Sequence, residues 1–247
     1  DVDDLDVATL ISINAATSGV VDASSANSLV GASADVISAY QANALGEISG
    51  LGNEDVTLEG PTSVNDANDI LGYTTGGVTA NILEGDMATL NQLLDTGGNQ
   101  VNASTIQIAD TSVDAGELNA LDAKTSLAID ASVVSTLTGD AAEVIASYAA
   151  GLAGSITGLG DEAVDLSGNT SVADANSIDA STTGVITATL AEGVMDTLNE
   201  LTDSGPDANA YSVTISDASV NAAALNVLDG KTSVAIETAG SVVEITG

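Results

Sequence analysis

Six acids, each standing just after an alternating apolar–polar segment, are the side chains best placed to do chemistry: Glu84, Asp110 and Asp130, then Glu192, Asp217 and Glu237. If the segments before them lie side by side, these carboxylates line one edge. Calcium, which takes six to eight oxygen ligands, is the cation such an edge suits. Each acid also suits an ordinary turn, because Asp and Glu beside Gly are common there. No cofactor is required by the sequence, and calcium is the one it leaves open. The opening run Asp1, Asp3, Asp4, Asp6 is not an EF-hand, because Asp6 stands where the loop needs Gly and Ser12 where it needs Glu.

The most regular polar feature is an Asn followed two residues later by Leu or Ile. It occurs at Asn27, Asn43, Asn68, Asn91, Asn119, Asn176, Asn199 and Asn226, with a vacancy near Ala150 and Leu152. Amides stacked once per turn can satisfy backbone groups of a neighbouring turn. The expected role is therefore structural, and Asn119→Ala is expected to destabilise by about 1–3 kcal/mol. Lys124 and Lys231, the only cations, follow the same Leu-Asp-x phrase and suit a helix C-terminus. A covalent lysine cross-link is the less favoured reading.

Catalysis is short of parts. The chain has no His, Cys or Arg, so nucleophile–base pairs and cationic oxyanion clamps are missing. Paired carboxylates can hydrolyse glycosides, but the chain has no Trp or Phe and only four Tyr from which to build a sugar platform. The expectation is that it is not an enzyme. Thirty-six acids against two lysines give a formal charge of −34. Nothing is available to neutralise phosphates, so neither nucleic acid nor an anionic membrane surface is an expected partner. Hydrophobic content of 44% argues against disorder.

The elements that position these residues come from repetition at two scales. Ala34–Tyr40 matches Ala142–Tyr148 and Thr62–Asn68 matches Thr170–Asn176, both at an offset of 108 residues; Leu118–Ser126 matches Leu225–Ser233 at 107. Within each block the Asn motif recurs every 23–28 residues from Asn43 onward, a solenoid spacing. Each unit starts with an Ala/Leu/Ile-rich stretch of helical spacing. Ser63, Ser112, Ser171 and Ser219 are the expected N-caps, and Gly19, Gly76 and Gly184 suit left-handed C-caps. Alternating segments follow near residues 20, 56, 80, 106, 128, 164, 187, 213 and 235, and read as half-buried strands.

The expected fold is α/β: a right-handed β/α solenoid of about nine strand–helix turns, roughly 27 residues each and four per block. Residues 1–33 form the first turn or turns, 34–139 the first block and 140–247 the second, in one continuous array. An all-β solenoid with loops in place of helices is the alternative.

Ser171–Asn176, Thr183–Thr189 and Leu225–Ser233 resemble a tandem repeat of giant cyanobacterial and marine secreted or cell-surface proteins, often grouped with calcium-dependent adhesins and hemolysin-type exoproteins. The resemblance implies extracellular structure and adhesion, with no defined reaction. It does not extend to a calcium loop, since the G-G-x-G-x-D nonapeptide is not in the chain.

The functional expectation is an extracellular or cell-surface structural protein, a segment or subunit of a filament, sheath or giant adhesin. Neither end reads as a polar cap, and the chain opens at Asp1 without a signal peptide, as a processed product or part of something longer does. The partners expected are copies of itself head-to-tail, or adjoining repeats of a longer parent chain, with Val242, Val243 and Ile245 at the interface. The alternative is a monomeric, calcium-dependent glycan- or ice-binding module, with the strand residues Thr187, Thr189 and Thr214 facing the ligand.

Overall fold

The computed structural model describes residues 4–94, 102–203, 208–240 and 244–247. Alternating Val, Ile and Thr in short runs favour strands with one buried face, and the intervening Ala-rich stretches favour helices. The result is a mixed α/β protein whose ladders among the described residues are parallel. Parallel neighbours need long crossovers, and among the described residues nine helices supply or flank them: α1 Val7–Ala16, α2 Ser33–Ala44, α3 Val64–Leu71, α4 Met87–Leu90, α5 Ala115–Asp122, α6 Ala141–Ala153, α7 Val172–Asp179, α8 Met195–Leu198 and α9 Ala222–Asp229. Among the described residues, no helix is long and apolar enough to cross a membrane. Two compact units emerge, 1–109 with 120–130, and 110–119 with 131–247.

In the first unit the strands Leu5–Asp6, Ser28–Gly31, Asp55–Thr62, Val78–Ile82, Ala103–Gln107 and Ile129–Asp130 pair in that order. Register aligns Leu5 with Leu29, Leu29 with Val56 and Val56 with Val78, so one apolar row, half-buried at Leu5 and buried from Leu29 onward, crosses four strands. In the second unit Ser112–Asp114, Thr136–Gly139, Ala163–Thr170, Ile186–Leu190 and Ala210–Ser212 pair likewise. There Val113, Leu137, Val164 and Ile186 form the corresponding row, each 108 residues after its counterpart. Helices close the core from the other side through Val36, Ala39, Val64, Ala67 and Ile70, and through Val144, Val172, Ala175 and Ile178. Complete burial of each Val, Leu or Ile side chain is worth about 1.5–3 kcal/mol.

Register slips once in each unit, between Thr57 and Pro61 and between Asp165 and Asn169. Gly60 (φ 79°) and Gly168 (φ 72°) sit in these slips in left-handed geometry, which is why glycine stands there.

Helix boundaries depart from expectation at several points. Ser63 and Ser171 cap α3 and α7 as expected. Ser112 and Ser219 instead belong to strands that run two residues further. Asp114 Oδ1 accepts the Glu117 amide of α5, and Asn221 caps α9. The last polar residue of the strand is the better-placed acceptor, so the hydroxyl upstream is not used. Gly19, Gly76 and Gly184 are not left-handed caps. A Cβ on Gly76 or Gly184 would stand 2.2 Å from the carbonyl oxygen of Glu54 or Glu162, so close backbone approach is their reason. Left-handed Gly instead closes α2, at Gly46 (φ 78°), and α6, at Gly154 (φ 83°).

Candidate functional site

Three members of the Asn column read a neighbouring backbone with both edges of the amide. Asn68 Nδ2 donates to Gln92 O and its Oδ1 accepts from Leu94 N, both at 2.8 Å. Asn176 does the same with Glu200 O and Thr202 N, also at 2.8 Å. Asn43 bonds the carbonyl and amide of Leu51 at 3.5 and 3.3 Å. Asn119 donates to Glu143 O (2.9 Å) and accepts from Ser147 Oγ (2.8 Å). A primary amide presents a donor and an acceptor side by side, the same pair a peptide group offers. The vacancy is Gly151, inside α6 at the place of Asn43.

The remaining members differ. Asn91 and Asn199 end α4 and α8, and their main-chain carbonyls accept Lys124 Nζ (2.8 Å) and Lys231 Nζ (2.7 Å). Each lysine thus meets the negative end of a short helix more than thirty residues earlier, not that of its own. Asn199 Oδ1 is buried without a hydrogen-bond partner among the described residues. Asn226 is exposed on α9. Asn27 does not belong to the helical column: it is exposed just before the strand Ser28–Gly31, and its carbonyl accepts the Asp55 amide.

The strand-end acids hold helix N-termini. Glu84 Oε2 accepts the Val64 amide and Glu192 Oε2 the Val172 amide, both at 3.0 Å; Asp217 Oδ2 accepts the Met195 amide at 2.7 Å. The Ser63 and Ser171 hydroxyls already take the amides of Asp66 and Asp174. The carboxylates satisfy a further orphan N–H and place negative charge at the positive end of the helix. Asp130 accepts from Gln107 Nε2 (3.1 Å), Asp110 is half-buried and Glu237 is exposed on the strand Glu237–Thr238. The six do not converge: among the described residues no group of three or more acids is placed to hold a metal ion. Asp6 caps α1 with both carboxylate oxygens. Ile245 is 64% exposed on the strand Glu244–Thr246, and Val242 and Val243 lie outside the described residues.

Two arrangements escape a reading by composition. The first is a hydroxyl ladder at the junctions that follow α3, α5, α7 and α9. Thr74 Oγ1 donates to Glu54 O (2.6 Å), Thr182 Oγ1 to Glu162 O (2.7 Å), and Thr125 and Thr232 to Ser104 O and Tyr211 O, both at 2.8 Å. Its signal is the recurring Thr-Thr-Gly or Lys-Thr-Ser. The second is a pair of carboxylate cages. Tyr40 Oη donates to Glu54, whose Oε2 also accepts the amides of Gly52 (2.8 Å) and Asn53 (3.0 Å). Tyr148, Glu162, Gly160 and Asp161 repeat the set. Burial first, and then the glutamate, pushes both phenols far above the ordinary tyrosine range. The signal was a Tyr and a Glu fourteen residues apart in both blocks.

The cages differ in one respect. The Tyr73 ring stacks on Tyr40, with centroids 5.2 Å apart and planes at 18°. Position 181, the counterpart of 73, is Ser, and a cavity of about 420 Å³ opens there, lined by Tyr148, Leu152, Leu159 and Ser181.

The outer strand faces carry aligned polar rows. Thr57 lies beside Thr79, and Asn81 beside Thr105. Asp165 lies beside Thr187, and Asn169, Thr189 and Ser212 form a second row. All are exposed, as is Thr214. Comparison with protein-family models, curated proteins and solved structures returns no match to this chain.

Proposed function

We propose that the chain is an extracellular structural repeat protein, a segment or subunit of a surface filament, sheath or giant adhesin. In this reading it is a right-handed β/α solenoid of about nine turns, roughly 27 residues each. The observation that carries it is the direction of the polar chemistry. Asn68, Asn176, Thr74, Thr182, Glu84, Glu192 and Lys231 each bond backbone belonging to another repeat, 20 to 32 residues away. Side chains engaged in joining one repeat to the next build a lattice, not a reaction centre. The strands Leu5–Asp6 and Glu244–Thr246 offer the backbone groups by which copies, or adjoining repeats of a longer parent chain, continue the ladder. Secretion to the cell surface fits the absence of Cys and the excess of acid.

Sedimentation velocity over a hundredfold concentration range tests the reading. Growth into end-to-end oligomers is expected; a monomer throughout, with and without calcium, removes it. The aligned Thr and Asn rows favour a second reading, a monomeric ice- or glycan-binding face, because parallel strands space such hydroxyls about 4.8 Å apart. Ice-growth inhibition or saturable glycan binding by a monomer would select it.

A further inference from the structure

The cavity beside Tyr148 lies where two side chains of the first block are replaced by smaller ones on a repeated frame. In the first block the Tyr73 ring stacks on Tyr40, and the Asn43 side chain bonds the Leu51 amide and carbonyl at 3.3 and 3.5 Å. The second block has Ser181 and Gly151 at those places. Its backbone follows the same course. The Tyr73 amide donates to Ile70 O and the Ser181 amide to Ile178 O, at 2.9 and 2.8 Å; Thr75 and Thr183 donate to Gly52 O and Gly160 O, both at 2.9 Å. The Tyr148 hydroxyl is tied to Glu162 as that of Tyr40 is to Glu54, so the two rings share one anchor. Ser181 turns its hydroxyl back to Ser177 O (2.9 Å). Among the described residues, neither the amide nor the carbonyl of Leu159, the counterpart of Leu51, makes a hydrogen bond. The space left is about 420 Å³, with Tyr148, Gly151, Leu152, Leu159 and Ser181 among its walls.

We propose that this cavity binds an aromatic side chain of another polypeptide together with its peptide group. The first block supplies the template: a phenol ring against the tyrosine face, and an amide that gives a donor to one carbonyl and an acceptor to one N–H. A peptide segment carrying Tyr or Phe brings the same two groups. The volume agrees, since small-ligand sites occupy about 300–1,000 Å³. The Leu159 N–H and C=O, side by side on one residue, favour a ligand with an amide over a bare hydrocarbon. The rings of this chain are already committed. Tyr40, Tyr148 and Tyr211 are buried, Tyr73 is stacked, and there is no Phe or Trp. A second copy therefore has no free ring to offer, and the occupant is a different polypeptide.

Calorimetric titration of the full chain with N-acetyl-L-tyrosinamide tests this. One saturable site is expected, with a Kd on the order of 1 mM for so small a ligand. N-acetyl-L-alaninamide, which lacks the ring, should not bind, and p-cresol, which lacks the amide, should bind roughly threefold or more weakly. Ser181→Tyr puts the ring of the first block into the cavity and should raise the Kd tenfold or more. Gly151→Asn has room, because the nearest atom to its Cβ is Ile156 O at 3.9 Å. It should weaken N-acetyl-L-tyrosinamide and leave p-cresol within twofold. Circular dichroism should report both variants folded, since each restores a first-block residue on a matching backbone. A capped Gly-Gly-Tyr-Gly-Gly peptide should bind at least as tightly as the single residue; its exclusion while N-acetyl-L-tyrosinamide binds would assign a free small aromatic and overturn the peptide occupant. A titration that never saturates overturns the site, and so does a Kd that Ser181→Tyr leaves within twofold. None of these outcomes depends on whether the chain polymerises.

Discussion

Asn176→Ala isolates the work of the amide column. The wild-type side chain makes two 2.8 Å bonds to main chain, to Glu200 O and Thr202 N, and accepts Thr202 Oγ1 at 3.2 Å. A net value of about 0.5–1.5 kcal/mol per bond gives about 1–3 kcal/mol for the backbone pair. Asn176 is only half-buried, so water partly replaces the amide and the lower half of that range applies. Alanine returns about 0.5 kcal/mol of helix propensity. The expected net loss is about 1 kcal/mol, or roughly 2–4 °C in Tm for a chain of this size. The control is Asn226→Ala, the exposed member on α9, where only the propensity gain operates. Urea unfolding followed by circular dichroism should lower the midpoint in the first variant, at unchanged slope, and leave or raise it in the second. Hydrogen exchange adds a local readout, since the Thr202 amide should lose protection only in Asn176→Ala. Equal midpoints and an unchanged Thr202 amide would refute the stapling role.

Four further outcomes are expected. Glu192→Ala strips the Val172 amide of its carboxylate and should cost about 1 kcal/mol whether or not calcium is present; a loss seen only with calcium would return Glu192 to the metal reading. Gly184→Ala forces a Cβ to 2.2 Å from Glu162 O and should cost about 2–3 kcal/mol, whereas Gly19→Ala, with its nearest atom at 3.7 Å, should be near neutral by the same urea assay. Ser181→Tyr should fill the cavity above Tyr148 as Tyr73 covers Tyr40, raising stability by about 0.5–1.5 kcal/mol; a lowered Tm would show that the two cages are not equivalent. Tyr40, Tyr148 and Tyr211 are all raised in the folded protein. Their stabilisation is therefore complete below the unfolded value of about 10 and lost as pH rises above it. The urea midpoint should fall between pH 9 and 11, with tyrosinate absorbance appearing at unfolding and not before.

Much of this was legible in the residues because it depends on local pattern. Alternation around 56, 80, 106, 164 and 187 expresses one buried face directly, and strands lie at each of those positions. The offset of 108 residues reappears as two matching buried rows. What stayed hidden depends on which residues meet across repeats. Glu84 and Glu192 look like free turn acids until parallel packing brings the strand end against the start of α3 or α7. Asn27 shares the local motif of the column but sits at a strand start, where the same spacing has no helix beneath it. Helices α4 and α8, four residues each, are too short to show a 3.6-residue period. Asn209 and Asp179 gave no periodic signal, since their bonds to each other exist only in the second block.

Electron microscopy of the purified full chain, with calcium and with chelator, addresses the structural role most directly. A stapled repeat that continues from copy to copy predicts rods of constant width whose length grows with protein concentration. Dispersed particles of single-chain mass under every condition would contradict it.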